Sequence, residues 1–81
     1  MTFDNKLRTF ILENYLFTND QSKLKNSDSF LETGIIDSTG ILEVITFIQD
    51  ELNITIEDDE MIPENLDSVD NVLAFIKKKT T

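Results

Sequence analysis

The stretch Gly34-Ile35-Ile36-Asp37-Ser38-Thr39-Gly40 decides how this chain is organised, because it holds both glycines and leads into the clearest helical pattern. Turn-rich, polar sequence precedes it. The pattern that follows predicts a helix from Ser38 to Leu52, with Ser38 exposed at its N-terminus beside unpaired backbone N–H groups. Such a helix end favours a phosphate or another anion. The apolar residues that recur at the spacing of one buried helical face are Ile41, Val44, Ile45, Ile48 and Leu52.

The same residues also suit a purely structural role. Asp37, Ser38 and Thr39 are all good N-cap residues, and glycine is common in the turn before a helix. Short motifs of this kind often arise by chance, so the rest of the chain must decide between a cap and a functional serine.

The composition predicts a single small domain that spans residues 1–81. The chain has no Cys and no His, which excludes disulfides, thiolate or histidine zinc sites and histidine-based acid–base catalysis. No metal site is predicted. Neither a signal peptide nor a membrane-spanning segment is evident in the apolar pattern, and we expect a cytoplasmic protein.

Charge is distributed unevenly along the chain. The net charge is −9, and thirteen acidic residues but no Lys or Arg lie between residues 26 and 76. A field of this sign repels nucleic acid and anionic lipid and steers basic protein surfaces towards the acidic segment. We therefore expect protein partners with Lys/Arg patches and no nucleic-acid partner, although acidity can also serve solubility alone.

The periodicity predicts an all-α fold, a small four-helix bundle with three longer helices and one short third helix. The first helix runs from about Thr2 to Phe17. The second helix has its flanking or outer positions at Thr39, Leu42, Glu43, Thr46 and Phe47. A long loop joins these two helices, and its expected anchors in the core are Phe30, Leu31, Ile35 and Ile36.

The last third of the chain contains the short helix and the final helix. The short helix covers about Asp58 to Ile62 and is ended by Pro63. Before it, Ile54 and Ile56 are expected to anchor the connecting loop. The final helix begins after the cap at Leu66-Asp67-Ser68 and ends in lysines that complement its dipole. Its buried face is predicted at Val69, Val72, Leu73 and Ile76, and its lysines are Lys77, Lys78 and Lys79.

The chain resembles the acyl carrier proteins and their peptidyl relatives over its whole length. The centre of the resemblance is Phe30-Leu31-Glu32-Thr33-Gly34-Ile35-Ile36-Asp37-Ser38, which is similar to the family's loop ending in Asp-Ser. The acidic second helix, the short third helix and the entry into the last helix also follow the family order.

The resemblance implies that Ser38 carries 4′-phosphopantetheine, transferred from coenzyme A by a separate magnesium-dependent phosphopantetheinyl transferase. The arm ends in a thiol that holds acyl or aminoacyl cargo as a thioester, so a chain without Cys can work through sulfur. Asp37 would cap the helix and lie near the magnesium ion during modification. The protein itself would be a carrier and not an enzyme.

Partner proteins are expected to dock on the second and third helices of a monomeric carrier. The expected partners are the transferase, an acyl- or aminoacyl-adenylating ligase and downstream acyl-processing enzymes with basic surface patches. The residues predicted to form the partner surface are Thr39, Leu42, Glu43, Asp50, Glu57, Asp58, Glu60 and Met61.

One departure from the family pattern favours a dedicated biosynthetic pathway. Carriers of fatty-acid synthesis usually have Leu directly after the serine, whereas here Thr39-Gly40 follows. This surface of the second helix would lack the apolar contact of Leu, and Gly40, without a side chain, would let a partner enzyme approach the serine more closely. Asp-Ser-x-Gly is similar to D-alanyl carriers and to other stand-alone carriers loaded by a separate adenylating ligase. The final third, from Pro63 to Val69, instead resembles discrete acyl carriers. The cargo stays open between acyl, aminoacyl or peptidyl, and D-alanyl groups.

Functions from other classes fit less well. No segment has the ligand spacing of a calcium-binding EF-hand loop, and a serine-dependent enzyme lacks a base beside Ser38. A plain helical interaction module, with Leu42, Phe47 and Met61 as its contact patch, remains the alternative.

Overall fold

Residues 2–80 are described by a computed structural model, and they form an all-α domain with no β-strand in that range. The predicted domain also includes residues 1 and 81, which lie outside the described residues. Helix α1 (Phe3–Ile11) continues as a π-helical turn over Leu12–Leu16. The chain then forms α2 (Phe30–Thr33), α3 (Ser38–Leu52), α4 (Pro63–Leu66) and α5 (Val69–Thr80), with 3₁₀ turns at Gln21–Lys23 and Asp58–Glu60.

None of the helices in the described range is both long enough and apolar enough to cross a membrane.

Helix α3 confirms the predicted bounds of 38–52. It begins after Gly34, which ends α2 in the left-handed region at φ 75°, and it ends at Asn53, which is left-handed at φ 53°. Asparagine tolerates this conformation better than most residues, so the helix stops there. Its predicted apolar face is buried at Val44, Ile45 and Ile48 and half-buried at Ile41 and Leu52.

Helices α1 and α3 pack side by side in antiparallel directions. The Lys6 Nζ lies 3.2 Å from the Glu51 Oε2, the rings of Phe10 and Phe47 are 4.4 Å apart between centroids, and the Tyr15 hydroxyl donates to the Gly40 carbonyl at 3.4 Å. Residue numbers rise along α1 as they fall along α3. The pair therefore closes one side of the core.

Gly40 leaves room for the side chains of Ile36 and Tyr15 at the start of α3. A Cβ at Gly40 would lie 2.6 Å from the Ile36 Cγ2 and 3.2 Å from the Tyr15 Cε1. Ile36 is fully buried, so its methyl group has little room to move. Gly40 is consequently an interior packing residue and not part of the outer surface of α3.

Arg8 organises the first part of the long loop. Its guanidinium donates to the Gln21 carbonyl at 2.8 Å, to the Leu24 carbonyl at 2.7 Å and to the Asn26 side chain. Leu24 is buried beneath this network, an anchor that the sequence analysis did not identify. The hydrogen bonds of Arg8 therefore hold this part of the loop in place, although its sequence has no periodic apolar pattern.

Asp67 holds the second part of the loop. Its carboxylate accepts from the Ser29 hydroxyl and from the Leu31 backbone N–H at 3.0 Å, and its carbonyl accepts from the Phe30 N–H at 2.6 Å. These bonds join the start of α2 to the junction between α4 and α5. Phe30 and Ile36 are fully buried as predicted.

Two local predictions are wrong. Leu31 is 43% exposed and does not anchor the loop, because Phe30 beside it on the single turn of α2 takes the inward direction. Pro63 begins a helix instead of ending one, as proline does at the first helical position. The first helix agrees with its predicted bounds within one residue at each end, since it ends at Leu16 and Phe17 is left-handed and 83% exposed.

The short third helix is also different from its prediction. Asp58–Glu60 forms only a 3₁₀ turn, closed by a capping box between Glu57 and Glu60. Ile54 and Ile56 do anchor the preceding loop, with Ile56 buried. In α5, Val69 and Val72 are buried as predicted, and Phe75 is an additional buried residue.

Candidate functional site

Ser38 stands at the exposed N-terminus of α3. The Asp37 carboxylate accepts from the Gly40 N–H at 2.7 Å, and the Asp37 carbonyl accepts from the Ile41 N–H at 3.0 Å. The N–H groups of Ser38 and Thr39 precede these bonds and have no acceptor within the helix. Together with the helix dipole they make this end electropositive, so an anion on Ser38 would be stabilised.

An apolar groove of about 200 Å³ opens beside Ser38. One wall is α3, with Ile41, Leu42 and Ile45, and the other is the segment that contains α4. Apart from Ser38, Asp67 is the only polar residue that lines it. The residues of the second wall are Met61, Ile62, Pro63 and Leu66, and Leu31 of α2 completes the lining.

The rim of this groove carries exposed apolar side chains. Leu42 is 57%, Leu31 43% and Ile62 40% exposed. Single exposed apolar residues are common on protein surfaces, but three around one concave site form an apolar patch of the kind that proteins often use to bind an apolar group or a partner. Leu31 and Ile62 were missed as site residues because the sequence analysis assigned Leu31 to the core and Ile62 to a helix end.

The predicted site residues separate into several groups. Ser38, Leu42 and Met61 meet at the groove, with Thr39 exposed beside Ser38. Glu43 and Asp50 lie elsewhere, on a shallow groove shared with Phe10, Thr46 and Phe47. Glu57 and Asp58 are exposed at the 3₁₀ turn, and Glu60 faces α5.

Among the predicted docking residues, Glu60 forms an ion pair within the molecule. Its Oε1 lies 2.8 Å from the Lys79 Nζ and also accepts from the Glu57 N–H at 2.9 Å. The hydrogen bond from Lys79 is the main reason why the pKa of Glu60 lies below its usual value. Its charge is largely balanced at this contact, so Glu60 offers less to a basic partner than Glu57 or Asp58.

Phe47 does not form a contact patch with Leu42 and Met61. Its ring stacks against Phe10 and Phe3 in the interface with α1, whereas Leu42 and Met61 line the groove beside Ser38. The three-residue patch of the interaction-module alternative is therefore wrong in this form.

Nothing in the described part of the chain activates the Ser38 hydroxyl. Tyr15, near the same end of α3, has its pKa raised to about 12, mainly by burial and also by the neighbouring Glu43 carboxylate. It therefore stays protonated and acts as a donor to the Gly40 carbonyl. Within residues 2–80, no three His, Cys, Asp or Glu side chains converge to hold a metal ion.

Searches with the sequence against protein-family models and against curated proteins find no match.

Proposed function

We propose that this chain is a carrier protein that bears 4′-phosphopantetheine on Ser38 and presents acyl or aminoacyl groups as thioesters to partner enzymes. The observation that carries the proposal is a reachable serine hydroxyl at the electropositive end of α3, at the mouth of an apolar groove. The same serine follows Asp37 in the family's Asp-Ser order.

The residues around Ser38 fit such a group. The N–H groups of Ser38 and Thr39 are oriented to stabilise a phosphodiester. The groove offers apolar walls to whatever extends from the serine. When bound, the group supplies the thiol that this chain lacks.

Attachment is a substitution at phosphorus. The Ser38 Oγ bonds to the phosphorus on the pantetheine side of coenzyme A, the pyrophosphate P–O bond breaks, and adenosine 3′,5′-bisphosphate leaves. The serine proton passes to a base of the transferase, because this chain has no base beside Ser38. Asp37 holds the first turn of α3 by its bond to the Gly40 N–H, and its carboxylate would lie near the transferase's magnesium ion during modification.

The architecture is consistent with a carrier of four-helix type. The three longer helices are α1, α3 and α5, and the short third element corresponds to the 3₁₀ turn Asp58–Glu60 together with α4. Antiparallel packing of α1 and α3 supports this arrangement. We propose a monomeric, cytoplasmic carrier.

Partner enzymes would approach Ser38 over the groove rim and the neighbouring acids. Thr39, Leu42 and Met61 supply the contacts nearest to Ser38, and Glu57 and Asp58 steer basic patches towards it. Glu43 and Asp50 add to the same field from the other side of α3. The partners are the transferase, an adenylating ligase and acyl-processing enzymes.

We further propose a dedicated biosynthetic pathway with a separate adenylating ligase. Thr39 is exposed directly after Ser38, where fatty-acid carriers usually present Leu to their enzymes. The expectation that Gly40 also opens this surface is wrong, since Gly40 is buried against Ile36 and Tyr15. The pathway proposal therefore depends on Thr39 alone.

The test is intact mass spectrometry after incubation with coenzyme A, Mg²⁺ and a broad-specificity phosphopantetheinyl transferase. We expect a gain of one phosphopantetheinyl group, lost in Ser38→Ala and retained in the matched control Ser27→Ala, whose serine is also exposed. Losing one residue of the cap region costs about 1 kcal/mol, so Ser38→Ala should remain folded. No gain in the unmodified sequence would contradict the proposal.

A helical interaction module is the second candidate, favoured by the exposed trio Leu31, Leu42 and Ile62. In that case the groove would bind a partner's apolar side chain without any covalent change at Ser38. The same mass measurement separates the two candidates.

A further inference from the structure

The apolar groove beside Ser38 contains one carboxylate. Asp67 lines it together with apolar side chains, and none of the lining residues is basic. The Asp67 carboxylate accepts from the Leu31 N–H at 3.0 Å and from the Ser29 hydroxyl, and Leu31 lines the same groove. The carboxylate therefore lies at the edge of the groove that Leu31 forms.

The charge of this carboxylate has no cationic partner within the described part of the chain. Its two donors, a backbone N–H and a hydroxyl, are both neutral. The ion pairs among residues 2–80 are Lys6–Glu51 and Lys79–Glu60, and neither includes Asp67. Because Asp67 is only half-buried, the lone pairs that these two bonds leave over are open to water.

Any group that fills the groove displaces water from this carboxylate. A purely hydrocarbon group would cover the charge without supplying a donor, and such a desolvation is unfavourable. A group that ends in a second carboxylate would be repelled. A cation with an apolar body would compensate the charge and still contact the apolar walls. The groove therefore favours an occupant that is both apolar and positively charged.

The size of the groove also limits its occupant. Its volume is about 200 Å³, below the range of about 300 to 1,000 Å³ that is typical of pockets for drug-sized ligands. The groove therefore suits one small group and not a long hydrocarbon chain or a peptide.

From this charge and size we infer that the groove receives a single aminoacyl group with an apolar side chain, whose α-ammonium group pairs with Asp67. The inference rests on the proposed function, since the aminoacyl group would be attached to the arm on Ser38. It narrows the cargo from acyl or aminoacyl groups to aminoacyl groups. Asp67 is then the residue that determines this specificity.

The experiment loads the full chain with stable cargo analogues, in which an amide replaces the thioester. A broad-specificity phosphopantetheinyl transferase attaches each analogue from the corresponding coenzyme A derivative. The matched pair is a leucyl group and a 4-methylpentanoyl group, which has the same carbon skeleton without the amino group. A glutaryl group supplies the terminal carboxylate.

NMR spectra of the loaded forms are compared with that of the form that carries the unacylated arm. We expect shifts of the methyl signals of Ile41, Ile45 and Met61, which line the groove, with the leucyl group. These shifts should be at least twofold smaller with 4-methylpentanoyl and absent with glutaryl. Shifts of equal size with leucyl and 4-methylpentanoyl would overturn the inference.

The pKa of the leucyl amino group is a second readout, which a merely structural role of Asp67 would not change. Pairing with a carboxylate favours the charged form of an amine. The pKa should therefore be about half a unit lower in Asp67→Asn, a threefold change in proton affinity. Asparagine has the same shape and keeps an acceptor for the Leu31 N–H. The control is Asp70→Asn, which changes an exposed acid at the start of α5 and should leave the pKa within about 0.2 units.

The outcomes distinguish this inference from the carrier proposal. If the transferase attaches none of the analogues, both are wrong. If every analogue is attached but the leucyl group shifts no groove signal, the carrier proposal stands and the inference is overturned. An equal fall of the amino pKa in Asp67→Asn and Asp70→Asn would overturn it as well.

Discussion

The two sides of α3 differ in what packs against them. On one side, Gly40 packs against Tyr15 of the π-helical turn, the Phe47 ring stacks on Phe10 of α1, and Lys6 forms an ion pair with Glu51. On the other side, Leu42 faces a groove whose opposite wall leaves Ile62 exposed. One helix therefore has a side closed by its own chain and a side left open beside Ser38. We propose that the open side carries the phosphopantetheine group and contacts partner enzymes.

The largest loss of stability is expected from a bulkier side chain at Gly40, on the closed side of α3. In Gly40→Val, the new Cβ would lie 2.6 Å from the buried Ile36 Cγ2, and the valine methyls would press further on Tyr15. Overpacking of this kind typically costs about 1 to 3 kcal/mol. Urea unfolding followed by circular dichroism should give a lower midpoint. An unchanged midpoint would mean that Ile36 and Tyr15 are not packed against Gly40.

The next largest effect is a difference in stability between side-chain truncations on the two sides of α3. Phe47→Ala removes a half-buried ring from the stack with Phe10 and should cost about 2 kcal/mol, whereas Leu42→Ala removes a mostly exposed side chain and should cost less than about 1 kcal/mol. Thermal unfolding of the two variants tests the comparison. Equal losses of stability would remove the distinction between a closed and an open side.

Asp67 connects the open side to the core, and its removal should have an intermediate effect. Asp67→Ala loses the bonds to the Ser29 hydroxyl and the Leu31 N–H, and a hydrogen bond to a charged group contributes about 1.5 to 3 kcal/mol. Because Asp67 is only half-buried, water can replace part of both bonds, and we expect a total loss of about 1.5 kcal/mol and faster amide hydrogen exchange in α2. Asp70→Ala, an exposed acid at the start of α5, is the control. Comparable hydrogen exchange in both variants would show that the Asp67 hydrogen bonds do not hold α2 in place.

The smallest effect concerns the ion pair between Glu60 of the 3₁₀ turn and Lys79 of α5. The hydrogen bond from Lys79 lowers the pKa of Glu60 below 4.5 in the folded state. A lowered pKa adds stability above pH 4.5, and that stability is lost as the pH falls through the folded-state pKa. Lys79→Met should therefore flatten the acid dependence of stability below pH 4.5, and Lys78→Met should not. Parallel acid profiles would show that the contact is not maintained in solution.

Features that depend on local sequence could be predicted. The bounds of α3 follow from apolar periodicity together with the cap at Asp37 and the polar stop at Asn53, and the start of α5 follows from the Ser68 cap, whose hydroxyl accepts from the Asn71 N–H at 3.0 Å. Each of these features involves residues within one turn of each other. The reachable position of Ser38 follows from the same local pattern.

Features that depend on distant partners could not be predicted. The Arg8 network reaches across the chain to Leu24 and Asn26, and Asp67 bonds to residues more than thirty positions away. Gly40 was placed on the wrong surface because periodicity alone does not show which neighbouring helix approaches. The division of the acids between two faces has the same cause, since Glu43 and Glu60 acquire their partners only in the folded chain.

The most direct test of the central claim is to locate the modification after treatment with coenzyme A and a phosphopantetheinyl transferase. Cleavage after glutamate releases residues 33–43, whose only serine is Ser38. Tandem mass spectrometry of this peptide should place one phosphopantetheinyl group on Ser38. A group on Ser27 or Ser29, or no modified peptide at all, would contradict the claim that the open side of α3 is built to carry cargo.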